Sequence, residues 1–182
     1  MGECKQLLPL GDRPAVVHSL EAVIIAGIEE IIVVIGPEGE AVAEAVSRFP
    51  VTIARNHDPA SDMAGSVRTG LREVDSAATG VFVALADHPL VQPETYRALL
   101  WHHLREPDTV LIPVFNGRRG HPTLFPRSLL EEIHRCPTLR EVLASHPDRV
   151  QLVPVPDQGV ALDMDTPEDY HKVTGIFAAR QV

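Results

Sequence analysis

Val81-Phe82-Val83-Ala84-Leu85-Ala86-Asp87-His88-Pro89 decides the fold. Its first six residues are an unbroken apolar run, the mark of a strand buried on both faces. The run stops at a carboxylate, a histidine and a proline. Upstream, Ile31 to Ile35 (IIVVI) repeats the pattern and ends at Gly36-Pro37. A helix is expected over 38–48, a short strand over Val51 to Ala54, and a helix over Gly65 to Val74 in which Val67 and Leu71 share a face. Downstream, Pro93 to Leu104 reads as a helix, with Pro93 in its first turn and Glu94 near its positive end. Thr109 to Val114 is a further strand, and Ser128 to His134 and Leu139 to Ala144 are short helices. Val150 to Val155 alternates as an edge or antiparallel strand does. Pro167 to Ala178 closes the chain as a helix, with Thr166 as N-cap and Asp169 at the capping-box position. Strands alternating with helices predict an α/β fold whose mostly parallel sheet carries helices on both faces. Such sheets bind ligands outside the carboxyl ends of their strands.

The 182 residues suit one domain spanning 1–182. With 45% hydrophobic but only 4% aromatic residues, the core must be built from Val, Ile, Leu and Ala. The net charge of -9 and the lack of a basic tract argue against a nucleic-acid partner. Cys4 and Cys136 stand far apart, which excludes a disulfide framework and a cysteine zinc site. A reduced, cytoplasmic setting fits. No apolar stretch reaches the roughly 18 residues of a membrane span, and the N-terminus lacks a signal-peptide pattern.

Four segments are candidates for chemistry. Asp87 follows a buried strand, where a carboxylate can hold Mg²⁺ beside substrate phosphates; it can also simply cap the turn before Pro89. In Leu162-Asp163-Met164-Asp165-Thr166-Pro167, extended backbone would turn Asp163 and Asp165 to one side. Two such carboxylates repel unless a cation lies between them or one is protonated. A metal-facing role is favoured for one of them, Asp165 ahead of Asp163, against a role in the turn before the last helix. Asp62-Met63-Ala64-Gly65-Ser66 offers small residues at a helix start, open to a ligand, with Ser66 alternatively an N-cap and Arg68 read as a surface residue. Gly117-Arg118-Arg119-Gly120-His121-Pro122 is a basic loop whose guanidinium forks match an anion, or an exposed hairpin tip. Lys5, by local spacing alone, is a solvated lysine. His102 and His103 are adjacent on a helix and cannot share a ligand.

Taken together, MGECKQLLPL, NHDPASDMAGSVRTGL, VALADHPLV, IPVFNGRRGHPTLF and LDMDTPEDY resemble the MobA-like NTP transferases, nearest to the molybdenum cofactor cytidylyltransferases. The resemblance covers nearly the whole chain. It implies a Rossmann-like nucleotidyltransferase fold in which Lys5 contacts NTP phosphates. It implies that Met63, Gly65 and Ser66 recognise base and ribose, and that Asp87 binds Mg²⁺ with Asp165 or Asp163. It places Arg118, Arg119, Gly120 and His121 on the acceptor side. The reaction implied is transfer of CMP from CTP to a phosphorylated acceptor such as molybdopterin, releasing pyrophosphate, with a molybdoenzyme as a possible partner. Rival expectations are a cytidylyltransferase acting on methylerythritol phosphate, a non-catalytic molybdoenzyme accessory protein, and an oxidoreductase-associated relative, though no complete GxGxxG supports a dinucleotide.

One departure matters. Relatives of this kind open with a strand and a turn of the type LAAGxSxRMG, of which Met1-Gly2 match only the last two residues. The expectation is a sheet without its first strand, in a natural protein that starts upstream of Met1. Its two neighbouring strands would then have unpaired edges, and NTP binding by the short form would be weak. Unpaired buried backbone groups cost about 1–3 kcal/mol each.

Overall fold

The computed structural model describes residues 4–181; Met1-Gly2 of the family opening lies outside the described residues. A short hairpin, β1 (Pro9–Leu10) and β2 (Arg13–Pro14), turns at Gly11, whose φ of +65° favours glycine. Helix α1 (Ala15–Ile25) follows directly from Pro14. Next come β3 (Ile32–Ile35), α2 (Glu40–Val46), β4 (Thr52–Arg55) and α3 (Met63–Leu71). The second half runs β5 (Gly80–Val83), α4 (Pro93–His103), β6 (Val110–Phe115), β7 (Arg118–Arg119) and β8 (Thr123–Pro126). It ends with α5 (Arg127–Leu130), α6 (Leu139–Ser145), β9 (Val150–Pro154) and α7 (Pro167–Arg180).

The fold is α/β, with strands paired both in parallel and antiparallel. β3 pairs β4 in parallel. β8 lies between β5 and β6, antiparallel to both. β9 pairs β6 in parallel at an edge, which removes the antiparallel alternative for that segment. β3 and β5 are not hydrogen-bonded to each other among the described residues, so they lie in two separate ladders, apart from the β1–β2 hairpin.

Side-chain alternation divides the core as period two requires. Val110, Ile112, Phe125 and Val83 face α3, α5 and α6, while Leu111, Leu124 and Phe82 face the α4 side with Leu99. On β3, Val33 and Ile35 face α1 and α2. On its other face α3 packs closely, and a Cβ on Gly70 would lie 2.9 Å from Val34 Cγ2. Helices therefore cover both faces. α3 touches both ladders through Gly70 and Leu71, while α1 packs on the first through Val16 and beside α4 through Ala22.

Several boundaries differ from expectation. β5 ends at Val83 rather than Ala86, because its partner β8 begins only at Thr123 and Pro122 has no N–H to extend the ladder. The segment Ser128 to His134 is not one helix: α5 passes into a 3₁₀ turn at Glu131–His134. α3 begins at Met63, two residues early, because Asp62 caps it. Thr166 caps α7 as expected, with Asp169 completing the reciprocal capping box. Among the described residues, no helix is long and apolar enough to cross a membrane.

Candidate active site

One small core cluster assembles the site. Leu10, Ala15, Leu90, Met164 and Val173 pack together, all at or near zero exposure. Each belongs to a segment that carries a polar group a few residues away. Leu10 follows the 3₁₀ turn of Lys5, Leu90 follows Asp87, and Met164 precedes Asp165. Burying these residues against one another draws three distant parts of the chain together. Two further ties support them: Tyr170 donates its hydroxyl to the Pro9 carbonyl at 2.6 Å, and Arg180 donates to the Leu90 carbonyl at 2.8 Å.

The result is a three-residue ion cluster. Lys5 Nζ donates to Asp87 Oδ2 at 2.6 Å and also to Asp165 Oδ1. Asp87 sits in the turn after β5 with its side chain 15% exposed, whereas Asp165 is 61% exposed. Ser19 of α1 donates to the Ala86 carbonyl at 3.3 Å, holding the backbone beside Asp87. Partial burial works against the charge on Lys5, but its bonds to Asp165 and Asp87 outweigh this and raise its pKa above the ordinary lysine value. The same bond from Lys5, and its charge, hold the Asp165 carboxyl below the usual carboxylate range.

Asp163 is half-buried and Asp165 exposed, with the buried Met164 between them. Lys5 engages Asp165. Among the described residues no group of three or more His, Cys, Asp or Glu is arranged to hold a metal. The pair Asp87 and Asp165 nevertheless suits a hard divalent ion, since it supplies oxygen donors and already balances one cation.

The remaining predicted residues fall into two groups. Met63, Gly65 and Ser66 occupy the first turns of α3, with Met63 half exposed. Ser66 is not an N-cap. Asp62 fills that position and accepts from the Gly65 N–H at 2.9 Å, which spends that donor and sets a negative charge at the helix start. A Cβ at Gly65 would fall 1.9 Å from Ser61 Oγ, so that hydroxyl would have to rotate away. Arg68 is no surface residue: it donates to the carbonyls of Ile133 and Cys136 at 2.8 and 3.0 Å, fastening α3 to the following helices.

The loop 117–122 is divided. Arg118 and Arg119 form the exposed return of a hairpin that turns at Asn116-Gly117, both at positive φ. Gly120 and His121 run inward instead. A Cβ on Gly120 would lie 2.0 Å from the Val160 carbonyl oxygen, and the His121 N–H donates to that carbonyl at 2.9 Å. The His121 ring meets His88 edge to face, with centroids 5.5 Å apart. Burial, and then the neighbouring His88, push the His121 pKa down. His88 is a site neighbour that the motif reading passed over. It is 7% exposed and stands beside Asp87, and its place inside Asp-His-Pro was the available signal.

Comparison with known proteins supplies the context. The model of the MobA-like NTP transferase domain matches residues 1–178. The chain belongs to that family. Its relatives include the Mycobacterium tuberculosis H37Rv protein Rv0371C in complex with manganese, 30% identical, covering 96% of this chain and 93% of that one with a TM-score of 0.80. A nicotine blue oxidoreductase of Paenarthrobacter nicotinovorans is 28% identical over 183 residues, covering 93% of this chain and 87% of that protein. The fold is also that of a 4-diphosphocytidyl-2C-methyl-D-erythritol synthase from Anaerococcus prevotii, at 15% identity over 95% of this chain and 93% of that one, with a TM-score of 0.76. This MobA-like chain is a nucleotidyltransferase.

Proposed function

We propose that this MobA-like chain transfers CMP from CTP to a phosphorylated acceptor, molybdopterin or the molybdenum cofactor, and releases pyrophosphate. The observation that carries the reading is the convergence of Lys5, Asp87 and Asp165 from three distant segments at the carboxyl-end side of β5. An oxygen of the acceptor's phosphate attacks the α-phosphorus of CTP. The bond from that phosphorus to the bridging oxygen breaks, and pyrophosphate leaves with the bonding pair. No protein nucleophile is needed, because the attacking phosphate is already ionised at neutral pH. The protein's contribution is therefore positioning and electrostatics.

Asp87 and Asp165, with Asp163 adjacent, would hold a divalent ion, Mg²⁺ in this reading. When bound, that ion neutralises charge on the phosphates. Lys5 adds a compact positive charge next to the same carboxylates. Met63, Gly65 and Ser66 at the start of α3 are the nucleotide-recognition segment. Arg118, Arg119, Gly120 and His121 are the acceptor side, the arginines by charge and the other two by shaping the loop. A cytoplasmic location and a molybdoenzyme recipient belong to this reading.

The test is pyrophosphate release from CTP with molybdopterin, with GTP as donor control and methylerythritol phosphate as acceptor control. Release with CTP and molybdopterin supports the proposal. Release only with methylerythritol phosphate transfers it to the other acceptor. No release with any pair leaves the accessory-protein reading in its place. The 28% identity to a nicotine blue oxidoreductase favours one further reading, a redox activity; reduction of nicotine blue by the purified protein, with a reduced nicotinamide as electron donor, would establish that instead.

A further inference from the structure

The proposed function asks two things of Lys5 that one ammonium cannot do in one place. It is to meet nucleotide phosphates, yet it already bonds both carboxylates meant for a divalent ion. Of the three donors an ammonium carries, two are committed to Asp87 and Asp165. A divalent ion bound by both carboxylates would have to share that position with a second cation.

We propose that Lys5 is a resident counter-ion for Asp87 and Asp165, displaced when a divalent cation binds, so that metal entry and release of Lys5 toward the nucleotide are one event. This rests on the reading of Asp87 and Asp165 as metal carriers. Charge supports it. Asp87 is largely buried, and without a cation the two carboxylates would repel at close range. Lys5 suppresses that repulsion in the free protein. A divalent ion would neutralise the same pair alone, freeing a full positive charge for the phosphates that arrive with it. The route in is open, since Asp165 is 61% exposed. Residue type agrees: an ammonium is a compact point charge that can stand where a metal ion stands, and a planar guanidinium is not. Lys5 and Lys172 are the only lysines in the chain.

Exchange has a consequence opposite to simple loss of function. Removing the lysine should tighten metal binding in the absence of nucleotide, because the ion no longer competes with a resident charge. Free Mn²⁺, followed by electron paramagnetic resonance without nucleotide, is the probe. Lys5→Met should bind Mn²⁺ about tenfold more tightly than the wild type, the scale of one charge removed at contact range in a wet site. Asp87→Asn added to Lys5→Met should abolish the gain. A Lys5→Met affinity no tighter than wild type overturns the exchange. If Asp87→Asn still weakens binding in that case, the metal reading stands alone. If neither substitution changes Mn²⁺ binding, the metal reading fails as well.

A second measurement uses the unaltered protein, so it does not depend on a variant folding. Acetylation of Lys5, read by mass spectrometry against the exposed Lys172 as internal reference, should rise severalfold at saturating Mn²⁺. An unchanged Lys5 to Lys172 ratio at saturation overturns the proposal.

Discussion

The ion cluster and the arginine hairpin were both legible as candidate chemistry, and the structure treats them in opposite ways. Lys5, Asp87 and Asp165 are far apart in sequence, and a buried apolar group beside each draws them into contact. Arg118 and Arg119 are neighbours in sequence, yet they are exposed on a hairpin and form no ion pair among the described residues. The difference lies in what stands next to the charge. A polar residue flanked by a core residue inherits a fixed position, as Asp165 does from the fully buried Met164. A polar residue on a short exposed strand has direction but no fixed partner. Preorganised charge supplies transition-state stabilisation without reorganisation, and mobile charge supplies attraction.

The largest expected effect follows from the fixed side. Asp87→Ala should lower turnover in the pyrophosphate-release assay by about a thousandfold or more, since metal-linked charge stabilisation is worth several kcal/mol. Near-normal turnover would remove Asp87 from the chemistry and end the contrast. The next effect falls where the two regions meet. Gly120→Ala would put a methyl carbon 2.0 Å from the Val160 carbonyl oxygen, a backbone atom that cannot swing aside. A loss of about 1–3 kcal/mol is expected in denaturant unfolding. Unchanged stability would mean that the inner half of the loop is as free as its tip.

The contrast also explains what the sequence could reveal. The runs of β3, β5 and β6 announced themselves, and the capping box of α7 was readable to the residue. Helix α1 was not, because AVVHSLEAVII is apolar on nearly every side and starts at a proline without a side-chain cap. Strand β8 was hidden for another reason: four residues ending at Pro126 and preceded by Pro122 look like a loop. Its insertion between β5 and β6 is what makes the arrangement mixed. Asp87 and Asp165 were recognisable singly from their places after a strand and before a helix. Lys5 was marked only by the family resemblance, because a contact across 160 residues leaves no local spacing to read. Ser66, open as an N-cap from the sequence, lies inside α3, because Asp62 four residues earlier caps the helix.

Smaller effects probe how firmly Asp165 is held. It immediately precedes the cap of α7, so Thr166→Ala should cost about 1 kcal/mol in stability and loosen the carboxylate. If thermal stability is unaffected, the capping box does not fix Asp165. Acid should release the same residue. The Asp165 pKa is depressed by Lys5, so its stabilising contribution is present above the ordinary unfolded value of about 3.9 and lost as pH falls through the lower folded value. Lys5 is shifted upward, so its contribution persists until pH rises through a value above about 10.4. In metal-free melts, the gap between wild type and Asp165→Asn should be steady above about pH 5 and narrow as pH falls below about 4, at well under 1 kcal/mol because the pair is exposed. A gap that does not narrow there would contradict the ion pair.

The smallest stability effect belongs to the hairpin, where it is most informative when paired with kinetics. Arg118→Ala with Arg119→Ala removes two exposed guanidinium groups and no buried contact, so stability should change by no more than about 0.5 kcal/mol. If the arginines attract the acceptor from a mobile tip, KM for the acceptor should rise while kcat holds, the signature of binding lost equally from ground and transition states. The rise should shrink in high salt, because exposed charge is screened. A fall in kcat at constant KM would mean that the hairpin closes on the reacting phosphate and becomes as fixed as the cluster. That outcome would place the difference between the two regions in the free protein alone.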